Sequence, residues 1–94
     1  MLNNNLRELE QIIDQLPDRA FSYRYSTGVE ISLLHDSLWH GRLIETNNSN
    51  RHIMSPCDAQ TFQEVSDSLI LYGLTDQNIQ ELLDAARKQL ASKA

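Results

Sequence analysis

Ninety-four residues carry 8 Lys and Arg against 13 Asp and Glu, a net charge of −5, with one cysteine and 6% aromatic content. That balance disfavours a phosphate-backbone ligand, a lone cysteine forbids an internal disulfide, and no stretch approaches the roughly twenty apolar residues of a membrane-crossing helix. With no basic-then-apolar signal at the start and no composition shift to mark a linker, the chain is expected to be one cytoplasmic domain over residues 1–94, with one modest core.

Leu2, Leu6, Leu9, Ile13 and Leu16 recur at spacings that line one side of a helix over residues 1–17. Asn3 to Asn5 offer capping side chains near its start, and Pro17 requires it to stop by about Leu16. The same spacing would serve a short coiled-coil seam, so a homodimer stands as the alternative to packing on the protein's own sheet.

Residues 20–54 are expected to form an antiparallel sheet. Phe21, Tyr23 and Tyr25 alternate with Ser22 and Arg24, and Val29, Ile31 and Leu33 alternate with Glu30 and Ser32. A two-residue loop between these runs would pair apolar with polar positions. The three-residue loop Ser26-Thr27-Gly28 pairs Tyr25 with Val29, Tyr23 with Ile31, Phe21 with Leu33 and Arg24 with Glu30, and places glycine where a bulged turn needs a positive φ. Applied to His35-Asp36-Ser37, the same reasoning pairs Leu33 with Trp39, Ile31 with Gly41 and Val29 with Leu43. It also aligns Glu30 with Arg42 and Ser32 with His40 on the other face. After a polar loop at Asn47 to Asn50, His52 to Met54 offer a short fourth strand.

A helical hairpin is expected over residues 55–91. Ser55-Pro56-Cys57-Asp58 has the form of a helix start, with a capping serine, proline at the first helical position and an acidic residue three after the serine. Phe62, Val65, Leu69 and Tyr72 follow on one face, with Ile70 and Leu71 broadening it. Gly73 ends that helix and Thr75 caps the next, whose inner face is Ile79, Leu82, Leu83, Ala86 and Leu90. Helix, three or four strands and two helices, with the helices gathered on one sheet face, make the class α+β.

No catalytic, metal-binding or phosphate-binding signature is present, so no cofactor is expected. Cys57 near His52 is the one thiol candidate, placed by this reading at a helix start, but no oxyanion-forming motif accompanies it. His35, His40 and Asp36 do not match a structural zinc spacing. Between residues 58 and 86 there are six carboxylates, Asp58, Glu64, Asp67, Asp76, Glu81 and Asp84, and no Lys or Arg, which makes the hairpin acidic. Gly73, Ile79 and Leu82 satisfy the loose spacing of a DNA-binding helix-turn-helix, but the second helix begins Thr75-Asp76-Gln77-Asn78 and has cations only at Arg87, Lys88 and Lys93. The element order resembles that of double-stranded RNA-binding domains. Such domains carry a lysine-rich start to the helix after the sheet, whereas this sequence reads Pro56-Cys57-Asp58-Ala59-Gln60 there.

The expectation is therefore a small acidic non-enzymatic module, an adaptor, inhibitor or regulatory subunit, that binds another protein, one with a basic surface. A nucleic-acid binder using the hairpin is the runner-up. The expected contact residues are Arg24, Leu34, Leu38, His40 and Arg42 on the outward sheet face, where Leu34 and Leu38 would pair, and Asp67, Asp76, Glu81 and Asp84 on the helices.

Overall fold

The structure, a computed structural model, describes residues 2–47 and 50–93. The elements are α1 (Leu2–Gln15), a 3-10 turn (Pro17–Arg19), β1 (Ala20–Arg24), β2 (Val29–His35), β3 (Trp39–Asn47), β4 (Asn50–Ala59), α2 (Phe62–Leu71) and α3 (Asp76–Lys93). The strands form an antiparallel meander in the order β1-β2-β3-β4. The fold is α+β, with the N-terminal helix, the meander and the C-terminal helices in the expected sequence.

α1 turns its apolar stripe inward. Leu6, Leu9, Ile12, Ile13 and Leu16 are all buried in the protein's own core, each worth about 1.5–3 kcal/mol of transfer free energy, so these positions are not an open dimer seam. Leu2, at the start of that stripe, lies outside the described side chains. The described helix already includes Asn3 to Asn5, which occupy its first turns. It stops where Pro17 dictates: Leu16 is extended, with φ −79° and ψ 154°, as the residue before proline prefers.

The first hairpin has the register that side-chain parity requires. Phe21 faces Leu33, Tyr23 faces Ile31 and Arg24 faces Glu30. Tyr25 N–H donates to Val29 O at 2.8 Å and Gly28 has φ 95°, as a bulged three-residue turn demands. The second hairpin keeps the expected faces but not the expected register. His35, rather than Leu33, faces Trp39, and Ile31 faces Leu43. The turn is Asp36-Ser37-Leu38, closed by the Asp36 carboxylate accepting the Leu38 N–H at 2.9 Å. Glu30 accordingly faces Ile44, Ser32 faces Arg42 and Leu34 faces His40.

The larger correction is at residues 50–59. The short fourth strand is instead a long edge strand, paired with β3 from Asn47↔Asn50 to Trp39↔Ala59, with a bulge between Leu43 and Ile44. Asn48 and Ser49, in the expected polar loop, lie outside the described residues. Pro56 is therefore in a strand and not at a helix start, a position that an edge strand tolerates because it has one unpaired side. The hairpin begins at Phe62, capped by Thr61, whose hydroxyl accepts the Glu64 N–H at 3.3 Å. Thr75 and Asn78 cap α3 reciprocally, each side chain accepting the other's backbone N–H at 3.1 Å.

α2 ends in a Schellman motif. Leu74 N–H donates to Leu69 O at 3.1 Å and Gly73 N–H to Ile70 O at 3.0 Å, with Gly73 at φ 112°. This turn buries Leu74 beside Leu69, so Tyr72, expected in the core, is half exposed, and Leu71 is 81% exposed.

All three helices cover the same face of the sheet. α1 packs on β1 and β2, α2 on β3 and β4, and α3 on α1 and β1. Phe21, Ile31, Leu33, Trp39 and Leu43 meet them in one core, and Trp39 lies against Phe62 with ring centroids 4.7 Å apart. Gly41 makes this seating possible, because a Cβ there would overlap Val65 Cγ1 of α2. Among the described residues no helix covers the opposite sheet face.

Candidate functional site

That uncovered face carries the even-numbered residues of the central strands. Ser32 and Leu34 of β2, Asp36 of the turn, and His40 and Arg42 of β3 line a shallow depression of about 300 Å³. Three of the five outward residues expected from the sequence, Leu34, His40 and Arg42, are thus together. Leu38 is not with them on the strand: it is half-buried in the turn, because the register shift removes its pairing with Leu34. Arg24 shares the face but belongs to a second hollow, beside Ser22 and Glu30, and its guanidinium donates to Thr46 Oγ1 at 3.2 Å.

His40 organises the depression. Its Nδ1 lies 2.8 Å from Asp58 Oδ1 and its Nε2 lies 2.7 Å from Asp36 Oδ1. Two carboxylate partners on opposite ring nitrogens require a proton on each nitrogen, which defines an imidazolium. Arg42 Nη1 adds a contact of 3.0 Å to the same Asp58 oxygen and donates to Gly41 O at 2.9 Å. The hydrogen bond to Asp58, then that to Asp36, holds the His40 pKa above its ordinary value. Asp58 is held below its ordinary range by the hydrogen bonds from His40 and Arg42, and Asp36 by the Leu38 N–H and then by His40. The cluster fastens the β2–β3 turn, β3 and β4 to one another. Exposed ion pairs of this kind contribute little to global stability, so what they chiefly fix is the geometry of the face.

Sequence reasoning missed Asp58 as a member of the site and Ile53 as an exposed residue elsewhere on the same face. Asp58, which the sequence places at a helix start, lies on β4 opposite His40, and only the pairing with β3 shows this. Ile53, 52% exposed, faces the nearly buried Ile44 just past the bulge and adds a second outward apolar side chain.

The catalytic and metal candidates are not assembled. Cys57 and His52 are five residues apart along β4, about 15 Å of extended chain, so no hydrogen-bonded pair forms. Cys57 lies in a strand, without the helix dipole expected to activate it. His35 turns away from His40, with Nδ1 2.6 Å from Asp14 and its ring stacked on Trp39 at 4.1 Å. Among the described residues no group of three or more His, Cys, Asp or Glu is arranged to hold a metal ion.

The acidic candidates lie away from the depression. Asp67 is on α2 and accepts from Gln63 at 2.9 Å. Asp76, Glu81 and Asp84 are exposed on α3. Glu81 accepts the Tyr23 hydroxyl at 2.5 Å, and Asp84 contacts Arg87 at 3.3 Å. Arg87 itself forms a two-pronged pair with Glu8 of α1, both contacts 2.7 Å. Ile79 and Leu82, which fit the helix-turn-helix spacing, are core residues. The side chain of Lys93 lies outside the described residues. No helix among the described residues is long and apolar enough to cross a membrane. Comparison with protein-family models, curated proteins and solved structures finds no match to this chain, which leaves the geometry of the site as the ground for a functional reading.

Proposed function

We propose that the protein is a small non-enzymatic binding module, an adaptor, inhibitor or regulatory subunit, that docks a protein partner on its uncovered sheet face. The observation that supports this most is the depression itself: exposed Leu34 sits in a frame of charged groups already hydrogen-bonded to one another, on a face no helix covers. An apolar centre inside a polar rim is the anatomy of a protein contact, and a frame held in place before binding loses little side-chain entropy on docking. Among the described residues, the contacts of Asp36 with Leu38 and His40 and of Asp58 with His40 and Arg42 go to Oδ1 of each carboxylate, which turns these acidic groups toward a partner that carries donors. The partner surface that fits is apolar at its centre and basic around it.

The nucleic-acid alternative is less well supported, because α3 carries Asp76 and no cation in its first turn and Arg87 is held by Glu8 and Asp84. The test is capture from a nuclease-treated extract, followed by binding measurements with the purified partner. Leu34→Asp combined with Ile53→Asp is expected to abolish binding while leaving the thermal melt nearly unchanged. Binding that survives this pair, or that instead falls steeply with salt and needs Arg87 and Lys88, overturns the reading.

A further inference from the structure

A cleft of about 200 Å³ opens on the helix-bearing side of the sheet, between the β1–β2 turn, β3 and the α2–α3 turn. Tyr25, Val29, Leu43, Tyr72 and Leu74 supply its apolar lining, and among the described residues Glu45 is the charged one there. Tyr72, at its lip, is 52% exposed, and the preceding Leu71 is 81% exposed. A space this size is below the roughly 300–1,000 Å³ of small-molecule and cofactor sites, and is close to what one large side chain fills.

Charge decides the occupant. Glu64, Asp67 and Leu71 recur at helical spacing on the solvent face of α2, which leads to the lip, and Asp76 follows the lip at the start of α3. Among the described residues, Glu45, Glu64, Asp67 and Asp76 form no ion pair, and α2 and the first half of α3 contain no Lys or Arg. His52 faces Glu45 across the β3–β4 ladder. A second copy of the chain would bring like charges together, each copy carrying −5. An extended segment with Lys or Arg around a large apolar residue would place opposite charges together instead.

We propose that this cleft is a second docking site, which takes one large apolar side chain from an extended, lysine- or arginine-flanked segment of a partner protein. It stands independently of the uncovered sheet face, since the two lie on different faces and share no residue. Tyr72 lies against the inserted side chain, and Glu45 with the α2 carboxylates meets the flanking cations.

The experiment is a titration of isotope-labelled protein, followed by amide NMR, with three capped pentapeptides. The first has phenylalanine between two pairs of lysines, the second alanine between the same lysines, and the third phenylalanine between two pairs of glutamates. The expected result is saturable shifts centred on Tyr25, Val29, Leu43 and Leu74 with the first peptide alone. Glu45→Lys and Tyr72→Ala should each weaken that binding by about tenfold, while the rest of the spectrum stays in place. Equal binding of the alanine peptide would mean a general attraction of cations to an acidic surface, and would overturn the proposal. So would equal binding of the glutamate peptide, shifts spread along α2 and α3 without saturation, or no shift with any peptide at millimolar concentration.

Discussion

Gly41→Ala tests the packing that leaves the outer sheet face free. The added Cβ would overlap Val65 Cγ1 while meeting Leu33 Cδ2 at an ordinary 3.6 Å, so the strain falls on α2. Val65 cannot give way easily: it is fully buried, and a β-branched side chain in a helix has one strongly preferred rotamer. Overpacking of this kind costs about 1–3 kcal/mol, and replacing glycine in a strand returns about 0.5–1 kcal/mol of backbone entropy. The net loss is about 1–2 kcal/mol, a fall in Tm of about 5–15 °C for a domain of this size, measurable by circular dichroism. Val65→Ala alone should also destabilise, by about 2 kcal/mol, because it deletes two buried methyl groups and leaves a gap. The double variant should lose less than the sum of the two, since the alanine methyl on β3 occupies part of the space Val65 vacates. A neutral or stabilising Gly41→Ala, or strict additivity of the pair, would refute the seating of α2 on β3.

Further perturbations probe the outer face and the tie between β1 and α3. His40 should titrate above its ordinary 6.5 in an NMR pH series, and Asp58→Asn should lower that value more than Asp36→Asn does, since Asp58 is the stronger cause of the shift. Because His40 is raised and both carboxylates are lowered, the cluster contributes most between about pH 4 and 6.5. Its contribution falls above that window as His40 loses its proton, and below it as Asp36 and Asp58 gain theirs; titration of wild-type His40 at or below 6.5 would dispose of the imidazolium clamp. Tyr25→Phe removes the hydroxyl that donates to Asn78 O at 2.6 Å, and should cost about 1 kcal/mol in urea denaturation; no loss would mean that bond is not maintained in solution. Thr61→Ala should likewise cost about 1 kcal/mol, because Thr61 caps α2, whereas Ser55→Ala should have no capping effect.

The first hairpin was legible because two constraints coincide there: alternation fixes which residues share a face, and Gly28 fixes the turn. In the second hairpin parity alone was available. A shift of two residues keeps every side chain on its face, so parity could not choose between Leu33 and His35 as the partner of Trp39. The Asp36 carboxylate, closing the turn on Leu38, and the His35–Trp39 stack accompany the observed choice, and neither follows from a hydrophobic pattern. At residues 55–58 a local signature pointed to a helix, and the long-range ladder to β3 prevailed over it. Thr61 followed three residues later by Glu64 was the alternative start signal, present in the sequence and outweighed by the proline at position 56. The candidate site inherited that error. Leu34, His40 and Arg42 were found from alternation, but Asp58 could join them only once its segment was recognised as a strand.

The most direct measurement is site-specific photo-crosslinking in nuclease-treated extract, with a photoreactive residue in place of Leu34 on the uncovered sheet face or, separately, in place of exposed Gln11 on α1. A discrete protein adduct from position 34, absent from position 11 and lost when Arg42→Glu is added, is the result predicted for a module that docks through this face. An adduct from position 11 alone, or one that disappears with nuclease, would contradict it.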